Sequence, residues 1–432
     1  MKVTKFGGTS LACSSQILKV KNIIEADEER KVVVASAPGK RFNKDIKITD
    51  LLLALNACKD DIQIKQDIIN RFVELITDLK VDESLINEVE YYFNNIKEDV
   101  SMSEIVSRGE YFSSKILASY LGFKFIDSRD FMIFNDEDKI DFEMSKREFF
   151  KLYNYGDKIV VPGFYGRDYK GNIHLFSRGG SDITGAYLSA FLEVSLYENW
   201  TDVSGVFSVN PSLVKDAKTI SHISYDEIRE LSYMGANVLH TDSILPCQER
   251  NIKICILNTN APHEGGTLIS DVSNNKSLVT GIAGKSGFAS LTMTRRNIQS
   301  DVKTLYKVLE VFDVFNVLIE NIATGVDTLT ITCLEQSLKV NIPEIIEALE
   351  VVSDSKIVID NNISLVSIVS KNLEGKFDVI SHIFEILKNN KIKTRLIDHS
   401  SDDKSIIIGV DDDNLDNTIS SLYCGLNNMR LI

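Results

Sequence analysis

The 432-residue chain has no apolar run approaching the roughly 18 residues that a membrane-crossing helix needs. Its amino terminus, Met-Lys-Val-Thr-Lys-Phe-Gly-Gly, lacks the long apolar stretch of a secretory signal. A cytoplasmic protein with no membrane partner is expected. Cysteine is sparse: Cys13, Cys58, Cys247, Cys255, Cys333 and Cys424 lie far apart, none in a C-x-x-C pair. That excludes a disulfide scaffold or a zinc ribbon and leaves buried free thiols. The six histidines fall in no H-E-x-x-H or related spacing, so no metal-ligand set is assigned. Positive charge is also in deficit. The 48 basic side chains against 62 acidic ones leave a net charge of −14, which repels phosphate backbones and excludes nucleic acid as the main partner. A local basic pocket stays compatible with that balance.

What is present is an ordinary globular composition, 44% apolar and 25% charged, on a length that predicts roughly three domains at about 150 residues each. The first 60 residues read strand, glycine turn, helix, strand, turn, helix. Val3 to Phe6 runs into Gly7-Gly8, Ile17, Val20, Ile23 and Ile24 share one helical face, and Lys31 to Ser36 is a β-branched run ended by Pro38-Gly39. The alternation predicts an α/β layered domain. Helices are expected over residues 64–79, 83–96 and about 103–120, with strands at 123–126, 158–162 and 195–200.

With only six prolines in the chain, Asn258-Thr-Asn-Ala-Pro-His-Glu-Gly-Gly-Thr is the clearest break. It places the main boundary near residue 270, giving a first region 1–270 and a tail 271–432. The tail reads as two strand-helix-strand units, about 285–350 and 360–432, of the ferredoxin-like α+β kind. The helices expected at 342–349 and 415–422 leave open whether the two units are interleaved.

Two clusters carry chemistry. Lys5-Phe-Gly-Gly-Thr-Ser10 sets a cation at a strand end, glycines at the turn and hydroxyls at a helix start. Backbone N–H groups can there approach anionic oxygens while Lys5 neutralises charge on a phosphoryl group. It matches neither G-x-x-x-x-G-K-[ST] nor G-x-G-x-x-G, and a plain tight turn is the alternative. Ser177-Arg-Gly-Gly-Ser-Asp182 opens a second small-residue helix. Arg178 suits bidentate binding of a carboxylate or phosphate, while Asp182 either serves the site or merely caps the helix. Two such turns fit a ternary site for a nucleotide and an anionic acceptor.

Lys5-Phe-Gly-Gly-Thr-Ser, Ser107-Arg-Gly-Glu110, Val161-Pro-Gly-Phe-Tyr-Gly166, Ser177-Arg-Gly-Gly-Ser-Asp182 and Trp200-Thr-Asp-Val-Ser-Gly205 occur in an order and spacing that resemble the aspartate kinases of the amino acid kinase family. The resemblance covers nearly the whole chain. It implies a three-layer α/β domain with a mainly parallel sheet, followed by two ACT domains with Gly375 at a ligand turn. The implied reaction is MgATP-dependent phosphorylation of the L-aspartate side chain to 4-phospho-L-aspartate, opening lysine, threonine, methionine and diaminopimelate synthesis.

Carried over by motif, Lys5 and Asp182 are the catalytic pair. Gly7, Gly8 and Ser10 approach the phosphates, joined by Ser181, while Thr201, Asp202 and Phe207 hold the nucleotide. Ser36, Thr49 and Phe164 line the aspartate pocket, Glu110 binds its ammonium and Arg178 its α-carboxylate. ATP and Mg²⁺ are the implied cofactors. The implied partners are a second copy of the chain, as a homodimer or dimer of dimers, and a lysine or threonine effector contacting Asn297, Ser300, Asp301, Thr324 and Asp327. Polar residues at those turns could equally be helix caps.

Three places depart from the family pattern. Ser212 stands where many members have an arginine that reaches the nucleotide, with Lys215 or Lys218 as candidate replacements. Asn237 replaces a lysine, and Ser300-Asp301 replaces a glycine-apolar pair at the first tail helix. Two rival readings follow: a kinase acting on another carboxylate, and an amino-acid sensor with a decayed site.

Overall fold

A computed structural model describes residues 1–177, 179–236, 239–272, 277–370, 377–399 and 404–432. Arg178, Asn237 and Gly375 lie outside the described residues. The chain forms two compact units, one of Met1–Val206, Thr219–Arg229 and Asn237–Asn275, the other of Phe207–Lys218, Glu230–Ala236 and Lys276–Ile432.

The first unit begins with β1 (Lys2–Phe6), α1 (Ser14–Glu25), β2 (Arg30–Ala35) and α2 (Ile48–Ala57). Three longer helices follow, α3 (Ile62–Leu79), α4 (Ser84–Asn94) and α5 (Met102–Leu121), then β3 (Lys124–Phe125) and α6 (Phe142–Leu152). After β4 (Ile159–Pro162), a hairpin of β5 (Tyr165–Arg167) and β6 (Ile173–Leu175) precedes α7 (Gly180–Leu192) and β7 (Leu196–Thr201). The remainder is β8 (His222–Ser224), α8 (Tyr225–Tyr233), whose residues from Glu230 on belong to the second unit, α9 (Leu245–Gln248), β9 (Lys253–Asn258) and β10 (Thr267–Ser270).

The strands form one sheet in the order β3-β4-β2-β1-β7-β9-β10-β8, parallel throughout except where β10 runs against β9. The central strands are buried on both faces, as the unbroken Val32-Val-Val-Ala35 run requires. Period-two alternation divides their side chains. Phe6, Val33, Ala35 and Val160 join the core that α1 to α5 build, while Lys5 faces away from it.

The second unit continues with β11 (Gly281–Thr294), α10 (Val302–Val314), β12 (Ile319–Thr324), β13 (Thr328–Leu334), α11 (Glu335–Lys339) and α12 (Ile342–Val352). Then come β14 (Lys356–Val369), α13 (Phe377–Asn389), β15 (Thr394–Asp398), β16 (Ser405–Asp411) and α14 (Leu415–Asn428). They build one antiparallel sheet, β12-β13-β11-β14-β16-β15. Residues 281–285 of β11 pair with 369–365 of β14, and 288–294 pair with 334–328 of β13, so one strand serves both ends. Each end has its own core. Leu291, Phe312, Ile331 and Leu349 belong to one, Ile282, Ile368, Ile383 and Leu422 to the other.

Residues 207–218 belong to this unit because Ser208 bonds into it: its carbonyl accepts from Ile282 N (2.7 Å), and Tyr423 Oη accepts from Lys218 N (3.2 Å). The Lys218 ammonium is engaged by Asn427 Oδ1 at 2.7 Å, and the Ser212 hydroxyl turns onto Asn210. The expectation of buried thiols holds for Cys247 and Cys333 only. Cys58 and Cys424 are exposed, and all six cysteines are free.

Candidate active site

At the carboxyl ends of β1, β2 and β7 a cavity of about 480 Å³ opens, where an α/β sheet places its ligands. Its floor follows from strand register. Lys5 and Asn199 are direct neighbours across the parallel β1/β7 pair, so both side chains leave the same face of the sheet and meet Asp182 on α7. Lys5 Nζ lies 2.6 Å from Asp182 Oδ1, Asn199 Nδ2 donates to the same oxygen at 2.9 Å, and Lys5 Nζ donates to Asn199 Oδ1 at 3.3 Å. Asp182 is the third residue of α7. The left-handed Gly179 (φ 63°) occupies the cap position, and the Asp182 carboxylate holds Lys5 instead of closing the helix.

The glycine turn is not the simple strand-to-helix connection the sequence suggested. A 3₁₀ turn, Gly8–Leu11, intervenes before α1, so no α-helix starts directly at the turn. Glycine is required at Gly8, where a Cβ would approach the Ala37 carbonyl to 2.8 Å. The Gly39 N–H donates to Gly8 O at 2.7 Å, which joins this turn to the loop after β2. Gly7, Gly8 and Thr9 face the cavity. Ser10 does not. It is buried, its Oγ bonded to Thr259 Oγ1 at 2.8 Å, which corrects its assignment to the phosphates.

The helix α5 also brings Glu110 to the cavity. Gly109 lets it approach, since a Cβ there would touch Ala37 at 2.9 Å. Glu110 is 5% exposed, and its Oε2 has no hydrogen-bond partner among the described residues. Burial pushes its carboxyl up to about 8 against the pull of the Ala37 backbone N–H. It is therefore no solvated helix residue. Arg108 beside it turns away, pairing with Glu104 at 3.1 Å and lying 4.5 Å from the Tyr111 ring centroid. An orphaned carboxylate oxygen in a cavity suits a cation that arrives with the ligand.

Phe164 reaches the cavity with φ 77°, rare for a side chain of its size. Its N–H donates to Thr184 Oγ1 (3.2 Å), and close packing of Gly180 against Phe164 holds it there. Ser36, Thr49 and Ser181 complete that side, and Thr201 and Asp202 close the end of β7. Phe207 lies in the second unit and does not line the cavity. Trp200 packs in the core, stacked 6.1 Å from Phe6 with its Nε1 on Glu198.

The "Amino acid kinase family" model matches residues 1–258, and an ACT-domain model matches 366–426. Aspartokinase 3 of Bacillus subtilis is 30% identical over 98% of both chains. The chain belongs to the aspartokinases of the amino acid kinase family. The crystal structure of Clostridium acetobutylicum aspartate kinase, described as an allosteric enzyme, covers 98% of this chain and all of its own at 38% identity and TM-score 0.90. Escherichia coli aspartokinase III, 23% identical, shares the fold over 99% of this chain, with TM-score 0.83 for its complex with aspartate and ADP and 0.74 for that with lysine and aspartate. As an aspartokinase, the chain is a phosphotransferase with an α/β kinase domain and carboxy-terminal ACT domains. No helix among the described residues is long and apolar enough to cross a membrane.

Sequence reasoning missed Asn199, whose role exists only through the β1/β7 register, and Lys47, Pro38 and Gly39, which line the cavity from a polar loop. Of the aspartokinase's five effector candidates, Asp301 caps α10 through Thr304 N (3.1 Å) and pairs with Arg295 (2.8 Å). Asp327 accepts from the N–H of left-handed Asn297 at 2.7 Å, and Ser300 closes the 3₁₀ turn between them. Thr324 is exposed at the end of β12. The capping alternative thus accounts for Asp301.

Proposed function

We propose that the chain transfers the γ-phosphoryl group of MgATP to the side-chain carboxylate of L-aspartate, giving 4-phospho-L-aspartate and ADP. The observation that carries it is the pair of groups lining one cavity: Lys5 held by Asp182, and a buried Glu110 carboxyl with an orphaned oxygen. An acceptor with both an ammonium and a carboxylate fits between them.

The step needs no base. A carboxylate oxygen of aspartate attacks phosphorus, the bond to the bridging oxygen of ADP breaks, and the electron pair leaves on ADP. Catalysis is then positioning and charge stabilisation. Lys5 offsets charge on the transferring group, Asp182 and Asn199 fix its ammonium, and the Gly7 and Gly8 backbone approaches the phosphates. Ionised Glu110 receives the substrate ammonium. Arg178 is assigned the α-carboxylate, Thr201 and Asp202 the nucleotide, and Ser36, Thr49, Phe164 and Ser181 the walls around aspartate. No cluster of three or more His, Cys, Asp or Glu that could hold a metal occurs among the described residues. Asp182 and Asp202, both lining the cavity, would supply the one or two carboxylates that a phosphate-bound magnesium takes, and the ion would neutralise phosphate charge there.

The same reading makes the chain a cytoplasmic enzyme of lysine, threonine and methionine synthesis, a homodimer or dimer of dimers, inhibited by lysine first and threonine second through the ACT tail. Inhibition requires different affinities for two conformations. ADP release from MgATP with and without L-aspartate, with the acyl phosphate trapped by hydroxylamine, tests the activity. Aspartate-dependent turnover that Lys5→Ala and Asp182→Ala both abolish supports it; a folded protein that turns over a different carboxylate, or none, rejects it. Calorimetric titration with lysine and threonine that shows neither heat nor inhibition removes the regulatory part.

A further inference from the structure

The loop between β2 and α2 gives the cavity Ala37, Pro38, Gly39 and Lys47. Its middle, Lys40-Arg-Phe-Asn-Lys-Asp-Ile-Lys47, is exposed and carries four cations to one carboxylate. Such a segment is ordinarily mobile. Here it is tied at both ends to one side chain. Arg71 on α3, only 5% exposed, donates from Nη2 to Gly39 O (2.9 Å), and from Nη1 to Ile46 O (3.2 Å) and Asp45 Oδ2 (2.9 Å). Asp45 also accepts from Arg41 N (2.9 Å) and Nε (3.0 Å), and Arg41 returns to Glu74 on α3 at 2.7 Å. Burial opposes the Asp45 charge, yet these arginines hold its carboxyl down to about 2. Arg71 sits among the buried apolar residues Ile68, Phe72 and Leu75 of its helix. Covering a core does not need a guanidinium at that position; fixing three loop acceptors does.

The fixed loop ends at Lys47. Its successor Ile48 donates N–H to Pro38 O at 3.3 Å, and Gly39 is bonded to Gly8, so Lys47 belongs to one assembly with the glycine turn. Of the two lysines lining the cavity, Lys5 is matched by Asp182, while the Lys47 ammonium has no ion-pair or hydrogen-bond partner among the described residues. We propose that Lys47 is a second cation for the phosphoryl group in transit, and that the Arg71–Asp45 clamp is the positioning device that holds it over the cavity.

This rests on the kinase reading, and the test separates the two. The parent, Lys47→Met, Lys47→Arg, Arg71→Met and the Lys47→Met/Arg71→Met double variant are compared in the trapped ADP-release assay. Equilibrium binding of ADP and of the β,γ-imido analogue of ATP is measured beside it. Lys47→Met is expected to lower kcat roughly 10- to 100-fold, the worth of one charge-assisted hydrogen bond, with the KM for aspartate within about threefold. It also narrows the affinity difference between the imido analogue and ADP, and Lys47→Arg restores most of both. Arg71→Met leaves the Gly39 and Ile46 carbonyls and the Asp45 carboxylate without their buried partner, so it lowers Tm as well as kcat, and, assayed well below its Tm, it adds nothing to the kcat loss in the Lys47→Met background. If Arg71→Met does not fold, Asp45→Asn takes its place.

A Lys47→Met enzyme within twofold of the parent in kcat, with the affinity difference intact, overturns the proposal. Full additivity of Arg71→Met and Lys47→Met overturns the clamp. A parent without aspartate-dependent turnover overturns the proposed function instead, and the nucleotide-affinity difference still decides Lys47.

Discussion

Glu110 sets how this site should respond to pH. Its carboxyl titrates near 8 because burial penalises the charged form, so in the empty cavity at neutral pH it is mostly protonated. Binding a substrate ammonium needs the ionised form, and aspartate must displace that proton. The expected result is a kcat/KM for aspartate that rises with pH up to about 8 and then levels, while the KM for ATP moves little; Glu110→Gln removes the rise. Below pH 8 aspartate binding should also release a proton, read as a binding enthalpy that scales with buffer ionisation enthalpy. A flat profile from pH 6 to 9 would count against the ammonium role. The effect on stability has a definite sign. A carboxyl raised above its ordinary value keeps a proton in the folded state that the unfolded chain has lost, so stability falls as pH rises from about 4.5 to about 8 and is flat beyond. Denaturant midpoints of the parent should follow that course, and those of Glu110→Gln should lack it.

The elements that build the site differ in how visible they are before folding. The amphipathic helices α3, α4 and α5 are legible because an apolar stripe every 3.6 residues is a local property, and their observed limits fall close to the expected ones. Lys5, Asp182 and Glu110 are legible as motif residues. Asn199 is not, because nothing in Glu-Asn-Trp indicates that the β1/β7 register sets it beside Lys5. The full length of β11 is hidden too. Gly281, Gly284 and Gly287 interrupt its alternation, and only its second half reads as a strand. β12 is a half-exposed edge strand whose pairing with β13, not its composition, makes it a strand. The polar 40–47 loop resembles a solvated turn until Arg71 is seen beneath it. Close backbone approaches are likewise a matter of tertiary structure. A Cβ at Gly163 would meet Ser181 at 2.5–2.7 Å, including a backbone carbon that cannot rotate away. Gly163→Ala should therefore push the start of α7 outward, lower stability by about 1–3 kcal/mol and raise the KM for aspartate. An unchanged melting temperature together with an unchanged KM would show that α7 yields without cost.

For the molecule as a whole, the question is how many pieces unfold. The kinase unit has its own core around a mainly parallel sheet. The second unit has two apolar cores, yet β11 and β14 each run through both, and their pairing spans residues 281 to 294 against 369 to 356. Separating those cores would require breaking two continuous strands in mid-course, leaving buried backbone groups unpaired. The two ACT-like halves should therefore melt together. Leu291→Ala in one core and Ile368→Ala in the other each remove a fully buried side chain, at about 2–5 kcal/mol. Scanning calorimetry should show both substitutions lowering the same transition by several degrees. Saturating aspartate with a non-hydrolysable MgATP analogue identifies the kinase-unit transition as the one it raises, since a ligand stabilises the state that binds it. If Leu291→Ala and Ile368→Ala moved two separate transitions, the shared strands would not couple the cores. An amino acid bound at one half would then not be coupled to the other through the sheet they share.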